Sequence, residues 1–137
     1  MTYNELTRRY FENACGAGVL IGPDCFRGAS GSRAQGTWVQ FDVQVDSNAR
    51  LGTIRAVRFL AFACPHIIAV CSWLAEQAPG REIKAQLPES VQSLRERFDV
   101  PIPKLGRLLI VEDAWIAALA ASAACRAPGG RKSSSRP

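Results

Sequence analysis

The sequence contains no CxxC pair. Its five cysteines, Cys15, Cys25, Cys64, Cys71 and Cys125, are odd in number and widely spaced, which argues against a disulfide framework and against a zinc-ribbon site. Reduced thiols are the expected state. No apolar run approaches the roughly 20 residues of a bilayer span, and the N-terminus lacks the basic-then-apolar order of a signal peptide. A cytoplasmic protein without a membrane partner is therefore expected. Histidine occurs once, at His66, and a single imidazole without companions defines no metal site. No internal repeat is visible.

The net charge of +5 suggests nucleic acid or an acidic partner until its distribution is read. Four of the 17 basic residues, Arg126, Arg131, Lys132 and Arg136, lie in an acid-free C-terminal stretch, leaving residues 1–125 with 13 basic against 12 acidic side chains. The folded part is nearly neutral, and no basic surface interleaved with aromatics marks a nucleic-acid module. The stretch RAPGGRKSSSRP offers almost nothing apolar to bury, so residues 126–137 are expected to form a flexible basic tail. The remaining 1–125 is long enough for one domain with its own core.

Along the chain, Thr2 and Glu5 are spaced for a capping box, and Tyr3, Thr7, Tyr10 and Phe11 fall near helical spacing, predicting a first helix over about residues 3–13. AGVLIG at 17–22 allows a short strand, and GASGSRAQG at 28–36 reads as a flexible loop. That loop invites a phosphate-cradle reading, but it lacks the GxxxxGK(S/T) order and precedes a strand rather than a helix. Val39, Phe41, Val43 and Val45 then alternate with polar or amphipathic neighbours, the period of a strand with one buried face. A turn near 46–52 and a partner strand over 53–62 complete a hairpin.

After Cys64 and Pro65 the period becomes helical: Ile67, Val70, Cys71 and Leu74 share one face, stopped by Pro79 and Gly80. Leu87, Val91, Leu94 and Phe98 repeat the stripe, Pro101 and Pro103 break it, and residues 105–125 predict a final buried helix. Helix, three strands, then helices make an α+β fold, with helices packing on one face of a small antiparallel three-stranded sheet.

Cys64 is the main chemical candidate. Proline is favoured at the first helical position, so Pro65 places the thiol at a helix N-terminus, where free N–H groups and the helix dipole favour the thiolate. Cys71 and Cys125 fall on packed helical faces, and Cys15 and Cys25 in Gly-rich turns. His66, two residues on, is a candidate proton carrier or ligand. Glu112 and Asp113 are adjacent on a helix and do not face each other, so they make a poor acid/base pair. No enzymatic constellation emerges.

Three stretches carry a resemblance: AVRFLAFACPHIIAVCSWLAE around Cys64, FENACGAG at 11–18, and PIPKLGRLLIVEDAWIAAL at 101–119. Their order and spacing over about residues 3–120 resemble the IscU/NifU-type (N-terminal) iron–sulfur cluster assembly scaffolds. The resemblance implies a SufE/NifU-like fold, places Cys64 at the family's second ligand cysteine, and makes Glu12, Asn13, Gly18 and Glu112 to Ala114 motif positions. Gln35 then falls at the first ligand cysteine, Thr37 at the aspartate beyond it, Gly106 at the histidine and Arg107 at the third cysteine. Cys64 is thus the one ligand cysteine retained.

An iron–sulfur cluster normally takes four protein ligands, and arginine has no lone pair for iron. The resemblance therefore implies a degenerate member. In it Cys64 accepts sulfur or gives one ligand to a weak or shared iron or iron–sulfur site, lined by Gln35, Thr37, His66 and a thiolate-stabilising Arg107. A cysteine desulfurase is the implied partner. An Hsp70-type chaperone is a weaker one, since the family's docking element is matched only approximately by Val100, Pro101, Pro103 and Lys104. Two other roles are open: a pseudo-scaffold that modulates the desulfurase or another assembly partner without chemistry, and a SufE-like sulfur acceptor.

Overall fold

The computed structural model describes residues 3–14, 16–46 and 52–126. Its elements run α1 (Glu5–Glu12), β1 (Cys25–Ser32), β2 (Thr37–Asp46), β3 (Thr53–Phe62), α2 (Pro65–Gln77), α3 (Val91–Arg97), a 3-10 turn (Ile102–Lys104) and α4 (Leu105–Arg126). The strands form an antiparallel meander in the order β1-β2-β3. The α+β expectation, with a small three-stranded sheet, holds. The expected turn at 46–52, Cys15 and residues 127–137 of the tail fall wholly or mainly outside the described residues, as do the side chains of Cys125 and Arg126.

β2 and β3 form where alternation placed them. Val39, Phe41, Val43 and Val45 point to one side and are essentially inaccessible, paired across the ladder with Ala61, Phe59, Val57 and Ile54. Each such side chain taken from water contributes roughly 1.5–3 kcal/mol. The layer is closed by α4 over β1 and β2, by α2 against β3, and by α1 against α2. Trp115 of α4 meets Phe41 edge to face at 5.2 Å and donates its indole N–H to the Gln86 carbonyl at 3.0 Å.

The first strand differs from expectation. It is built from the Gly/Ser stretch read as loop, and residues 17–22 form no strand beyond a single bridge between Ala17 and Phe59. The reason is close approach. A Cβ on Gly28 would lie 2.2 Å from the Ala118 nitrogen, so the α4 backbone lies against a strand that lacks a side chain there. Glycine both erases the period-2 signal and permits the contact. Residues 17–22 instead cross toward the outer face of the sheet, where the Leu20 N–H donates to Asp42 at 2.9 Å and Arg27 grips the same carboxylate at 2.8 and 3.0 Å.

Two helices are shorter than expected. α1 is capped by Asn4, whose side chain accepts from the Thr7 N–H at 2.8 Å, and Thr2 lies outside the described residues. The stripe from Leu87 to Phe98 is helical only over Val91–Arg97, because Ser90 caps it by accepting from the Ser93 N–H at 3.0 Å. No described helix is long and apolar enough to cross a membrane.

Candidate functional site

β3 ends at Phe62, and two residues later the chain turns into α2, with Cys64 as N-cap and Pro65 in the first turn. The Cys64 backbone is extended, φ −77 and ψ 166, and its carbonyl accepts from the Ile67 and Ile68 N–H groups at 3.1 Å each. The side chain is half-buried. This is the helix-terminal position inferred from the Cys64–Pro65 pair.

α4 supplies the second half of the site. Arg107, exposed in its first turn, and Lys104, just before it, are the cations whose charges act on Cys64 and favour its thiolate. Burial alone pushes the Cys64 thiol up. The helix start at Ile67 and the Arg107 and Lys104 cations outweigh it, and the thiol ends below its ordinary value. Cys71, fully enclosed in the core, is pushed strongly upward by burial. Cys25, half-buried at the start of β1, is raised by burial and by the charges of Asp42 and Asp24.

His66 is buried at 2% exposure, with the Tyr3 ring against its edge at 4.7 Å. Its Nδ1 lies 3.3 Å from Lys104 Nζ. An ammonium can only donate, so Nδ1 accepts and the ring proton sits on Nε2. Burial and the Lys104 charge lower the imidazole's affinity for a second proton, with Asp99 opposing weakly, so the ring stays neutral. Lys104 is thereby held beside the site as a fixed cation. Lys104, expected in a partner-binding stretch, stands three residues before Arg107, a spacing that puts both cations on one side of the turn into α4. Tyr3 gave no signal beyond its place in the first helical stripe.

The other predicted residues divide. Thr37 opens β2 on the helix-facing side and is buried at 2% exposure. Gln35 is exposed in the β1–β2 turn, its backbone N–H tied to Ser32 Oγ at 3.2 Å. Val100 is buried in the core, its N–H donating to the Arg95 carbonyl at 2.9 Å, while Pro101 is half-buried and Pro103 exposed. Glu112 and Asp113 sit on α4 as half-buried and exposed carboxylates.

The donor set at Cys64, among the described residues, does not fit a cluster. Among the described residues no three of His, Cys, Asp or Glu gather so as to hold a metal. The groups at Cys64 are two cations and a neutral imidazole that already accepts from one of them. The arrangement favours an anionic, nucleophilic sulfur.

The sequence matches the family described as "NifU-like N terminal domain" over residues 2–125. It is 28% identical over 114 residues to "Iron sulfur cluster assembly protein 1, mitochondrial" of Debaryomyces hansenii, covering 82% of this chain and 63% of that protein. It is 28% identical over 122 residues to "Iron-sulfur cluster assembly scaffold protein IscU" of Haemophilus influenzae, covering 88% and 94%. The chain thus spans less than two thirds of the first relative and nearly all of the second. The fold is similar to the crystal structure of a NifU-like protein (N-terminal) from Brucella abortus, with TM-score 0.66 at 16% identity, covering 88% of this chain and 93% of that one. A putative scaffold protein for the SUF system from Fervidobacterium islandicum gives TM-score 0.60 at 15% identity, covering 85% and 96%.

Proposed function

The chain belongs to the NifU-like N-terminal domain family of iron–sulfur cluster assembly scaffolds, and from that premise we propose that it is a sulfur acceptor working through Cys64 rather than a self-sufficient cluster scaffold. The carrying observation is the half-buried thiol at the N-cap of α2, with the cations Arg107 and Lys104 lowering its pKa against the opposing effect of burial.

The donor is the persulfide of a cysteine desulfurase. The Cys64 thiolate attacks the outer sulfur of that persulfide; a new S–S bond forms on Cys64, the donor's S–S bond breaks, and the donor cysteine leaves as a thiolate. The proton on the outer sulfur travels with it or is lost to water, so no external oxidant or reductant is needed. Arg107 and Lys104 stabilise negative charge on the attacking sulfur and then on the persulfide. Among the described residues of this corner Cys64 is the side chain suited to iron, so any iron or cluster there would draw its other donors from elsewhere.

The test is the turnover of a cysteine desulfurase on L-cysteine with this protein added. An acceptor accelerates alanine release in a Cys64-dependent way, and Cys64→Ser abolishes the acceleration. Stimulation or inhibition that is the same in both proteins would instead identify a pseudo-scaffold acting through its surface.

A further inference from the structure

The β2–β3 register brings one more side chain toward Cys64. The last ladder pair is Trp38 with Phe62, so the antiparallel register carried one step further sets Thr37 opposite Ala63, the residue before Cys64. Its position in the alternation puts it on the helix-facing side with Val39, Phe41 and Val43. α4 roofs this corner: a Cβ on Gly31 would lie 2.2 Å from the Thr37 carbonyl oxygen and 3.0 Å from Ile110 Cγ2. Ile110 is one helical turn beyond Arg107, a cation whose charge acts on Cys64.

Thr37 Oγ1 is the one buried side-chain nitrogen or oxygen among the described residues that has no hydrogen-bond partner. Buried hydroxyls are nearly always paired, because losing water without a replacement is costly. Valine would fill the same volume without that cost. The hydroxyl therefore calls for a partner that the described residues do not supply.

Resting on the reading of Cys64 as a sulfur acceptor, we infer that Thr37 is a positioning residue whose Oγ1–H donates to the outer sulfur of the Cys64 persulfide. Loading extends the cysteine by one S–S bond of about 2 Å, carrying the charged atom beyond the thiol position. Arg107 and Lys104 hold that charge from the α4 side, and Thr37 adds a directional bond from the sheet side. No covalent bond changes in this step. Its consequence is a persulfide anchored in a half-buried corner and less open to attack by passing thiols.

The experiment loads the full chain with inorganic polysulfide and follows the outer sulfur on Cys64 by intact-mass spectrometry during dithiothreitol challenge, in the wild type, Thr37→Val and Thr37→Ser. The extent of loading and the pH midpoint of Cys64 alkylation are recorded for each protein, and sulfur loss is normalised to the amount loaded. Thr37→Val should lose its sulfur several-fold faster, and Thr37→Ser should restore most of the lifetime. Thr37→Val should also melt no lower than the wild type, which separates the effect from misfolding. Equal lifetimes in Thr37→Val and wild type, or failure of Thr37→Ser to rescue, would overturn the role of Thr37 while leaving Cys64 as acceptor. A wild-type Cys64 that takes up no sulfur would overturn both.

Discussion

Lys104 Nζ lies 3.3 Å from His66 Nδ1, so the lysine of this corner is tied to a neutral histidine while its charge still reaches Cys64. That pairing separates the two cations by role. Lys104 is a charge held by His66, and Arg107 is a second, exposed cation acting on Cys64 from the first turn of α4.

The first expectation concerns thiol reactivity as a function of pH. Under native conditions Cys64 should alkylate fastest of Cys25, Cys64 and Cys71, with a midpoint below the roughly 8.5 of a free cysteine. Arg107→Ala should move the midpoint upward and slow the reaction at neutral pH, since a cation lowers a thiol's pKa by favouring the charged form. Lys104→Met should act in the same direction but more weakly. Site-resolved mass spectrometry of alkylation rates against pH reads all three; a Cys64 midpoint unmoved in Arg107→Ala would show that the helix terminus suffices.

Gly28→Ala tests how α4 is held over the sheet. The added methyl would meet the Ala118 nitrogen at 2.2 Å and the Ala114 carbonyl oxygen at 2.7 Å, both backbone atoms with no rotamer to yield. Overpacking of this kind costs about 3 kcal/mol, which for a domain of this size lowers the melting temperature by roughly 10 °C. Because α4 also carries Arg107, Cys64 reactivity should fall with it. A variant that melts within a degree or two of the wild type would contradict the close strand–helix contact.

Anaerobic reconstitution with iron, sulfide and a desulfurase should leave the monomer without a stable iron–sulfur cluster, because Gln35 is exposed in a turn and, among the described residues, no three of His, Cys, Asp or Glu gather to hold a metal. Near-stoichiometric iron and sulfide with a cluster absorption spectrum in a monomeric fraction would refute this.

Much of the fold was legible where a single period ruled. β2 and β3 show in their alternation, and the end of β3 at Phe62 and the start of α2 at Pro65 follow from a change of period marked by proline. β1 was hidden because its inward position opposite α4 is Gly28, which leaves no side chain to mark a buried face. At the site, the helix-terminal thiol was readable from Cys64 and Pro65, whereas Arg107 was brought beside it only by the family resemblance. The Lys104 contact with His66 joins residues 38 apart in sequence, and no local pattern announces such a pairing. Nor does any local pattern show that the Thr37 hydroxyl lacks a partner, since that is a property of its whole surroundings.

The most direct measurement is peptide mapping of the intact, reduced protein after brief exposure to a cysteine desulfurase and isotopically labelled L-cysteine, with persulfides trapped by alkylation before digestion. The account expects one labelled sulfur per chain, on the Cys64 peptide, and much slower labelling in Arg107→Ala. Label spread over several cysteines, or absent from Cys64 while the desulfurase turns over, would contradict it.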